Sequence, residues 1–211
     1  MGKTDPRVIK TRNKLRYAFL ELLKSRKLHE MNIKDLTNTA QVTRGTFYLH
    51  YKDKDTFVDN VMFGIINDFF KEIVVYHQLD NDEEKQTPSI VLDKMYRFIG
   101  NYPDFFITLL KENDARKYQE LLGVKLYELI KEHVQYSETT TIEKVPKELV
   151  TGYLVFSILG TASIWIEEGM IYAEHFMATK ALKAYRSQLF QEMDLLNFFE
   201  TEADVPYYQE R

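Results

Sequence analysis

Within QVTRGTFYLHYKDKDTF, Gln41 to Phe57, stand a guanidinium (Arg44), hydroxyls (Thr43, Thr46, Tyr48), an imidazole (His50) and an ammonium (Lys54). These groups are rich in hydrogen-bond donors and positive charge. That chemistry suits the anionic oxygens of a phosphate backbone and the donor and acceptor edges of bases. Arg44 has the fork to grip a guanine, Thr46 can donate to a base or a phosphate, and Leu49 can meet a thymine methyl group. Tyr48 and His50 are placed as donors to phosphate. Gly45 lets backbone approach closely, and Lys54 adds charge at the start of the next helix. Arg44 reading a base stands beside a phosphate-only role, and the whole segment stands beside a plain packing unit with a polar outer face.

These groups need helices to hold them. From Arg7 to Lys27, Ile9, Leu15, Ala18, Phe19, Leu22 and Leu23 recur near one face at helical spacing. Asn32 can cap a short helix that carries Ile33, Leu36 and Ala40, and Thr43 can cap another that runs to about Tyr51. Only Gln41 and Val42 separate the two, so they form a helix-turn-helix unit, with the first helix completing its core. Val42, Phe47 and Tyr51 have the spacing to face inward. In such a unit the second short helix enters the major groove.

From Thr11 to Phe57 the residues T11, L15, A18, L22-L23, N32-I-K-D-L, A40-Q-V-T-R-G-T-F-Y-L-H-Y51 and K54-D-T-F57 stand in ungapped order. This pattern resembles the TetR/AcrR family of bacterial transcriptional regulators. The resemblance implies that Thr43 to His50 is a recognition helix and that Tyr48, His50 and Lys54 are phosphate contacts. It also implies a ligand-responsive, all-helical C-terminal domain that forms the dimer. Two positions depart from the family. Gln41 stands where the turn usually has glycine, and Thr37 where the preceding helix usually has alanine. A non-glycine residue at positive φ costs about 1 kcal/mol. Further on, NYPDFFITLL and the glycine-spaced GTASIWIEEGM pattern resemble a subgroup that includes regulators of dihydroxyacetone kinase operons.

Charge divides the chain in the same way. Residues 1–60 carry thirteen Lys and Arg against seven Asp and Glu, a net of +6, and the remainder carries −10. A basic head on an acidic chain implies a local polyanion contact, with a solvated lysine-rich helix as the alternative. The chain has no cysteine, so no disulfide or thiolate site is available, and Met1 leads into charged residues without the apolar core of a secretory signal. A cytoplasmic setting is expected.

The rest reads as helix: about Asp55 to His77, Ser89 to Asn101, Pro103 to Glu112, Asp114 to Gln135, Pro146 to Gly169 and Glu174 to Phe199. The polar LDNDEEKQTP is expected as a break, SETTTIEK as a loop, and no strand alternation stands out. Leu149 to Ile166 is uncharged for 18 residues. Its Thr, Ser and Gly content and charged flanks indicate a buried helix rather than a membrane span, packed on both sides, with a second subunit as one candidate neighbour. Phe63, Asn67, Phe70, Tyr96, Phe105, Tyr127, Tyr153, Phe156 and Trp165 are candidates to line an effector cavity, although aromatics at helical spacing equally make a core. No HExxH spacing, phosphate loop, nucleophile elbow or cysteine nucleophile appears, so no metal, cofactor or enzymatic activity is expected.

The fold expected is all-α. It comprises a helix-turn-helix DNA-binding domain over 1–55, a helical effector-binding and dimerisation domain over 56–200, and a tail over 201–211. The expected partners are a palindromic double-stranded operator, a second copy of the chain and a small-molecule effector, making the protein a ligand-responsive repressor. A helical protein-interaction adaptor and a regulator without an effector are the alternatives.

Overall fold

The computed structural model describes residues 5–79, 82–135, 146–186, 195 and 197–205. Asp5 caps the first helix, α1 (Pro6–Leu23), by accepting the Arg7 N–H at 2.8 Å. Pro6 follows in the first turn, where its missing N–H costs nothing. Helix α1 buries Leu15, Ala18, Phe19 and Leu23. A 3-10 turn at Leu28–Glu30 leads to α2 (Ile33–Ala40) and α3 (Arg44–His50). Asn32 caps α2 through the Asp35 N–H and Thr43 caps α3 through the Thr46 N–H, both as the sequence predicts.

The α2–α3 turn depends on one backbone angle. Gln41 sits at φ 53° and ψ 49°, the left-handed region, so the chain reverses directly after α2. The reversal lets Val42 N–H reach the Thr37 carbonyl at 3.0 Å and Gln41 N–H reach that of Asn38 at 3.1 Å, which satisfies two helix-end acceptors. The second family departure is also absorbed: buried Thr37 donates its hydroxyl to the Ile33 carbonyl at 2.8 Å.

Helix α4 (Lys54–Ile73) starts behind Asp53, whose Oδ1 accepts the Thr56 N–H at 2.7 Å. That bond holds the Asp53 carboxyl below the usual carboxylate range. At 20 residues, α4 is about 30 Å long. Its Phe57 packs under α3, and its Phe69 meets Phe98 and Phe106 at 5.3 and 5.4 Å between ring centres. One apolar cluster therefore runs from Leu15 through Phe47 and Phe57 to Trp165.

The sequence expectation fails just after α4. The helix ends at Ile73, not His77, and the chain enters an antiparallel hairpin of β1 (Val74–Leu79) and β2 (Asp82–Val91). Val74 pairs with Ile90 and Val75 with Ser89. The β-branched and aromatic run Val74-Val75-Tyr76 favours extended backbone, but as the apolar continuation of Phe69, Phe70 and Ile73 it also reads as another helical turn. Most of the expected polar break is thus strand. Helix α5 (Leu92–Asn101) begins later than Ser89, and Phe199 lies not in a helix but in β3 (Phe199–Glu200), parallel to β2.

The remaining helices are α6 (Pro103–Lys111), α7 (Arg116–Val134), α8 (Lys147–Glu167) and α9 (Glu174–Tyr185), with a 3-10 turn at Asn113–Ala115 between α6 and α7. The described fold is mostly helical with one small sheet. SETTTIEK and residues 206–211 lie outside the described residues. Among the described residues, no helix is long and apolar enough to cross a membrane.

Residues 200–204 are tied down by carboxylates. Glu200 Oε1 accepts the Ser89 hydroxyl at 2.6 Å and lies 3.0 Å from His77 Nε2. Buried Asp93 accepts the Glu202 N–H at 2.9 Å, and Arg97 forks onto the Glu202 side chain. Residues 201–204, at the start of the expected tail, therefore include docked backbone.

Strain at Gln41 is open to a direct test. The left-handed conformation costs a side-chain-bearing residue roughly 1–2 kcal/mol, whereas glycine gives back about 0.5–1 kcal/mol in chain entropy. Gln41 is exposed, so little packing is lost. Gln41→Gly is expected to raise the urea midpoint modestly with an unchanged slope. An equal or lower midpoint removes the strain assignment.

Candidate nucleic-acid interface

Helix α3 presents most of its side chains to the outside. Phe47 is 0% exposed and Leu49 83%. At 100° per residue, Leu49 and Gly45 both lie 200° around the helix from Phe47, on the outward crest. Arg44 and Tyr48 are also exposed, and Thr46 and His50 are partly covered. What fixes this orientation is an aromatic floor: Phe47 meets Phe57 at 5.5 Å and Tyr51 at 5.7 Å, and Phe57 meets Phe19 at 6.0 Å. Burial raises the Tyr51 phenol above its ordinary range, so it stays neutral, with its hydroxyl 3.4 Å from Asn60 Oδ1.

Three of the expected contact groups, Thr43, Thr46 and Lys54, are already engaged within the chain. The Thr46 hydroxyl lies 2.9 Å from that of Thr43, so part of its hydrogen-bonding capacity serves the helix cap. Lys54 Nζ reaches the Leu28 carbonyl at 3.4 Å, a long contact that its flexible stem can exchange for a phosphate. Thr43 and Gly45 are exposed beside Arg44.

Residues that the sequence did not single out flank this surface. Lys10, Asn13, Lys14 and Tyr17 of α1 line a shallow cleft with Thr39 and Gln41, beside the α2–α3 turn. Their helical spacing was visible, but only the packing of α1 on α2 brings them beside the turn.

A set of polar ties joins this head to the helical body. Arg16 pairs with Asp68 of α4 at 2.7 Å. The Leu28 N–H donates to Glu112 Oε2 at 2.9 Å, and His29 Nδ1 lies 3.2 Å from Asp114 Oδ2. Asp59 accepts the Tyr118 hydroxyl at 2.6 Å and pairs with Lys117 at 2.5 Å. Burial, and then the bond to Asp59, push the Tyr118 phenol far upward, so it donates across the whole physiological range. Glu112, Asp114, Asp59 and Tyr118 had no local sequence signal, because their partners are distant in the chain.

The nine candidate effector residues do not share one cavity among the described residues. Tyr96, Phe105 and Trp165 are buried in the core, with Tyr96 and Trp165 edge to face at 5.6 Å. Phe63 leans on Tyr118, and Asn67 and Tyr153 are exposed. Phe70 lines a groove with Val74, Tyr76 and Leu129 beside the hairpin. Tyr127 and Phe156 do come together. With Arg116, Gly123, Val124, Lys131 and Gly152 they line an open groove of about 740 Å³ between α7 and α8.

Residues 86–186 match the family model TetR_C_8, a transcriptional regulator C-terminal region. The chain also shares its fold with a TetR transcriptional regulator from Streptococcus agalactiae 2603V. The two are 18% identical with a TM-score of 0.54, over 92% of this chain and 97% of that one. Over 86–186 the chain is thus similar to the C-terminal region of transcriptional regulators, and its fold is that of a TetR regulator. A TetR-family regulator from Streptomyces coelicolor matches to the same degree, at 18% identity and a TM-score of 0.54, over 93% of this chain and 88% of that one. At such identity the likeness carries the fold and not the operator or the ligand. Neither name speaks to the dihydroxyacetone kinase subgroup. No curated protein matches the chain.

Proposed function

We propose that this chain is a TetR-family regulator: a cytoplasmic DNA-binding repressor that grips a palindromic operator as a homodimer. The observation that carries the reading is the outward crest of α3, held on a buried Phe47. Residues 1–55 act as the DNA-binding head, 56–200 as the body for dimerisation and effector binding, and 201–211 as a tail. Arg44 reads a base, Tyr48, His50 and Lys54 hold phosphates, and Thr43, Gly45, Thr46 and Leu49 complete the groove-facing surface. Twofold symmetry then sets half-sites about 34 Å apart, or a multiple of that.

Support for a dimer comes from α8. Leu149, Tyr153, Phe156 and Ile164 are exposed large apolar residues at spacings that keep them on one side of the helix. Gly152 and Gly160 have open space where a Cβ would stand, so another backbone can come close. Tyr172 and Phe176, stacked at 4.8 Å, extend apolar surface towards α9. Two helices from each copy would make a four-helix interface.

The effector reading rests on the α7–α8 groove with Tyr127 and Phe156, whose size suits a small molecule. A ligand there that favours one arrangement of the body lowers operator affinity by its differential affinity alone. A regulator without an effector is favoured by a different observation: the body core is filled by packed aromatics, and the described residues leave no buried side-chain polar atom unpaired. Operator binding that no metabolite alters, measured over a broad panel, supports the second reading over the first.

Affinity for a duplex recovered by selection is expected to fall steeply with salt. Tyr48→Phe and Lys54→Ala should weaken all sequences alike, whereas Arg44→Ala should relax preference at one base pair by roughly 1–3 kcal/mol. If all three variants bind every sequence like the parent, groove insertion is wrong and the adaptor alternative stands. Sedimentation tests the dimer. Phe156→Glu with Tyr153→Glu is expected to give a folded monomer with weakened operator binding, and an unchanged dimer would move the interface away from α8.

A further inference from the structure

The cleft between head and body gathers one histidine and two carboxylates that no function has yet absorbed. His29, Glu112 and Asp114 each place a ligand atom within 4.8 Å of the others. We propose that they form a binding site for a transition metal ion of zinc's class, which fastens the DNA-binding head to the helical body.

The geometry favours such an ion. A tetrahedral zinc centre with arms of about 2.0–2.1 Å holds its ligand atoms roughly 3.3 Å apart. His29 Nδ1 and Asp114 Oδ2 already stand at 3.2 Å, along one edge of such a tetrahedron. Glu112 needs only a small side-chain adjustment to close the face. Its Oε2 accepts the Leu28 N–H, but a carboxylate has two oxygens and lone pairs to spare.

The supports on both sides are backbone. His29 lies in the 3-10 turn Leu28–Glu30, and Glu112 and Asp114 bracket the start of the turn Asn113–Ala115. That second turn is closed by Ala115 N–H to the Glu112 carbonyl at 3.0 Å and anchored by buried Ala115.

Imidazole with two carboxylates suits zinc and its neighbours, whereas magnesium and calcium prefer an all-oxygen shell. His29 and Asp114 are about half exposed, so an ion can enter and water can complete its shell. Lys54 and Lys117 line the same cleft and oppose a cation, although Lys117 is paired with Asp59 and Lys54 rests on the Leu28 carbonyl. The ion therefore replaces the His29–Asp114 hydrogen bond, and its binding closes a link across the head–body cleft. The binding step itself does not depend on what α3 recognises.

The test is zinc titration of the full chain by calorimetry, with amide exchange read on the free and loaded protein. One saturable ion per chain is expected, retained in excess magnesium and lost in His29→Ala and Asp114→Asn. Glu112→Gln keeps an acceptor for the Leu28 N–H while removing the charged ligand, so it should bind zinc much more weakly with its circular dichroism unchanged. Zinc should slow exchange at residues 28–30 and 112–115 together. Absence of a saturable site, binding that survives in the three variants, or slowed exchange on one side of the cleft only would each overturn the proposal.

Discussion

Phe47 must be inside the head, and what the head offers a partner follows from that burial. Helix α3 is only seven residues long and has little stability of its own. Its orientation comes from one ring seated against Phe57 and Tyr51, with Phe57 in turn resting on Phe19 of α1. Fully burying such a ring is worth roughly 1.5–3 kcal/mol, more than any single surface contact that α3 makes. Turning the helix to present another face would expose Phe47 and bury Leu49 or Tyr48. The crest of Gly45 and Leu49, with Arg44 and Tyr48 beside it, is therefore set by packing before any partner arrives.

The same packing carries the connection to the body. Phe57, which supports Phe47, belongs to α4, and α4 continues to Phe69 in the middle of the body. A displacement of the body that tilts α4 must move the floor under α3. The polar ties of Leu28 to Glu112 and of Asp59 to Tyr118 and Lys117 run alongside it and limit how freely the head can turn. They are specific in geometry but partly exposed, and individually weaker than the shared apolar core.

Much of the head was readable from sequence because its determinants are local. Caps at Asn32 and Thr43 act over three residues, Phe47 and Tyr51 repeat at one helical turn, and the departure at Gln41 announced a strained left-handed residue that is present at φ 53°. The hairpin was not readable. Val74, Val75 and Tyr76 continue the apolar pattern of α4, and only pairing with β2 decides between a further helical turn and a strand. The effector candidates fared similarly: composition identified the aromatics, but whether a ring faces core, groove or solvent depends on contacts between distant segments. Tyr127 and Phe156 meet only because α7 packs on α8. His29, Glu112 and Asp114 illustrate the limit most clearly, since neither side of that cluster carries a ligand spacing by itself.

Site-specific crosslinking tests the central claim most directly. A photoreactive residue in place of Leu49, on the α3 crest, should crosslink to a base of the selected duplex, and the same residue in place of exposed Val124 on α7 should not. Crosslinking from position 124 with none from position 49 would contradict the account, because the surface that Phe47 orients would then be turned away from the DNA.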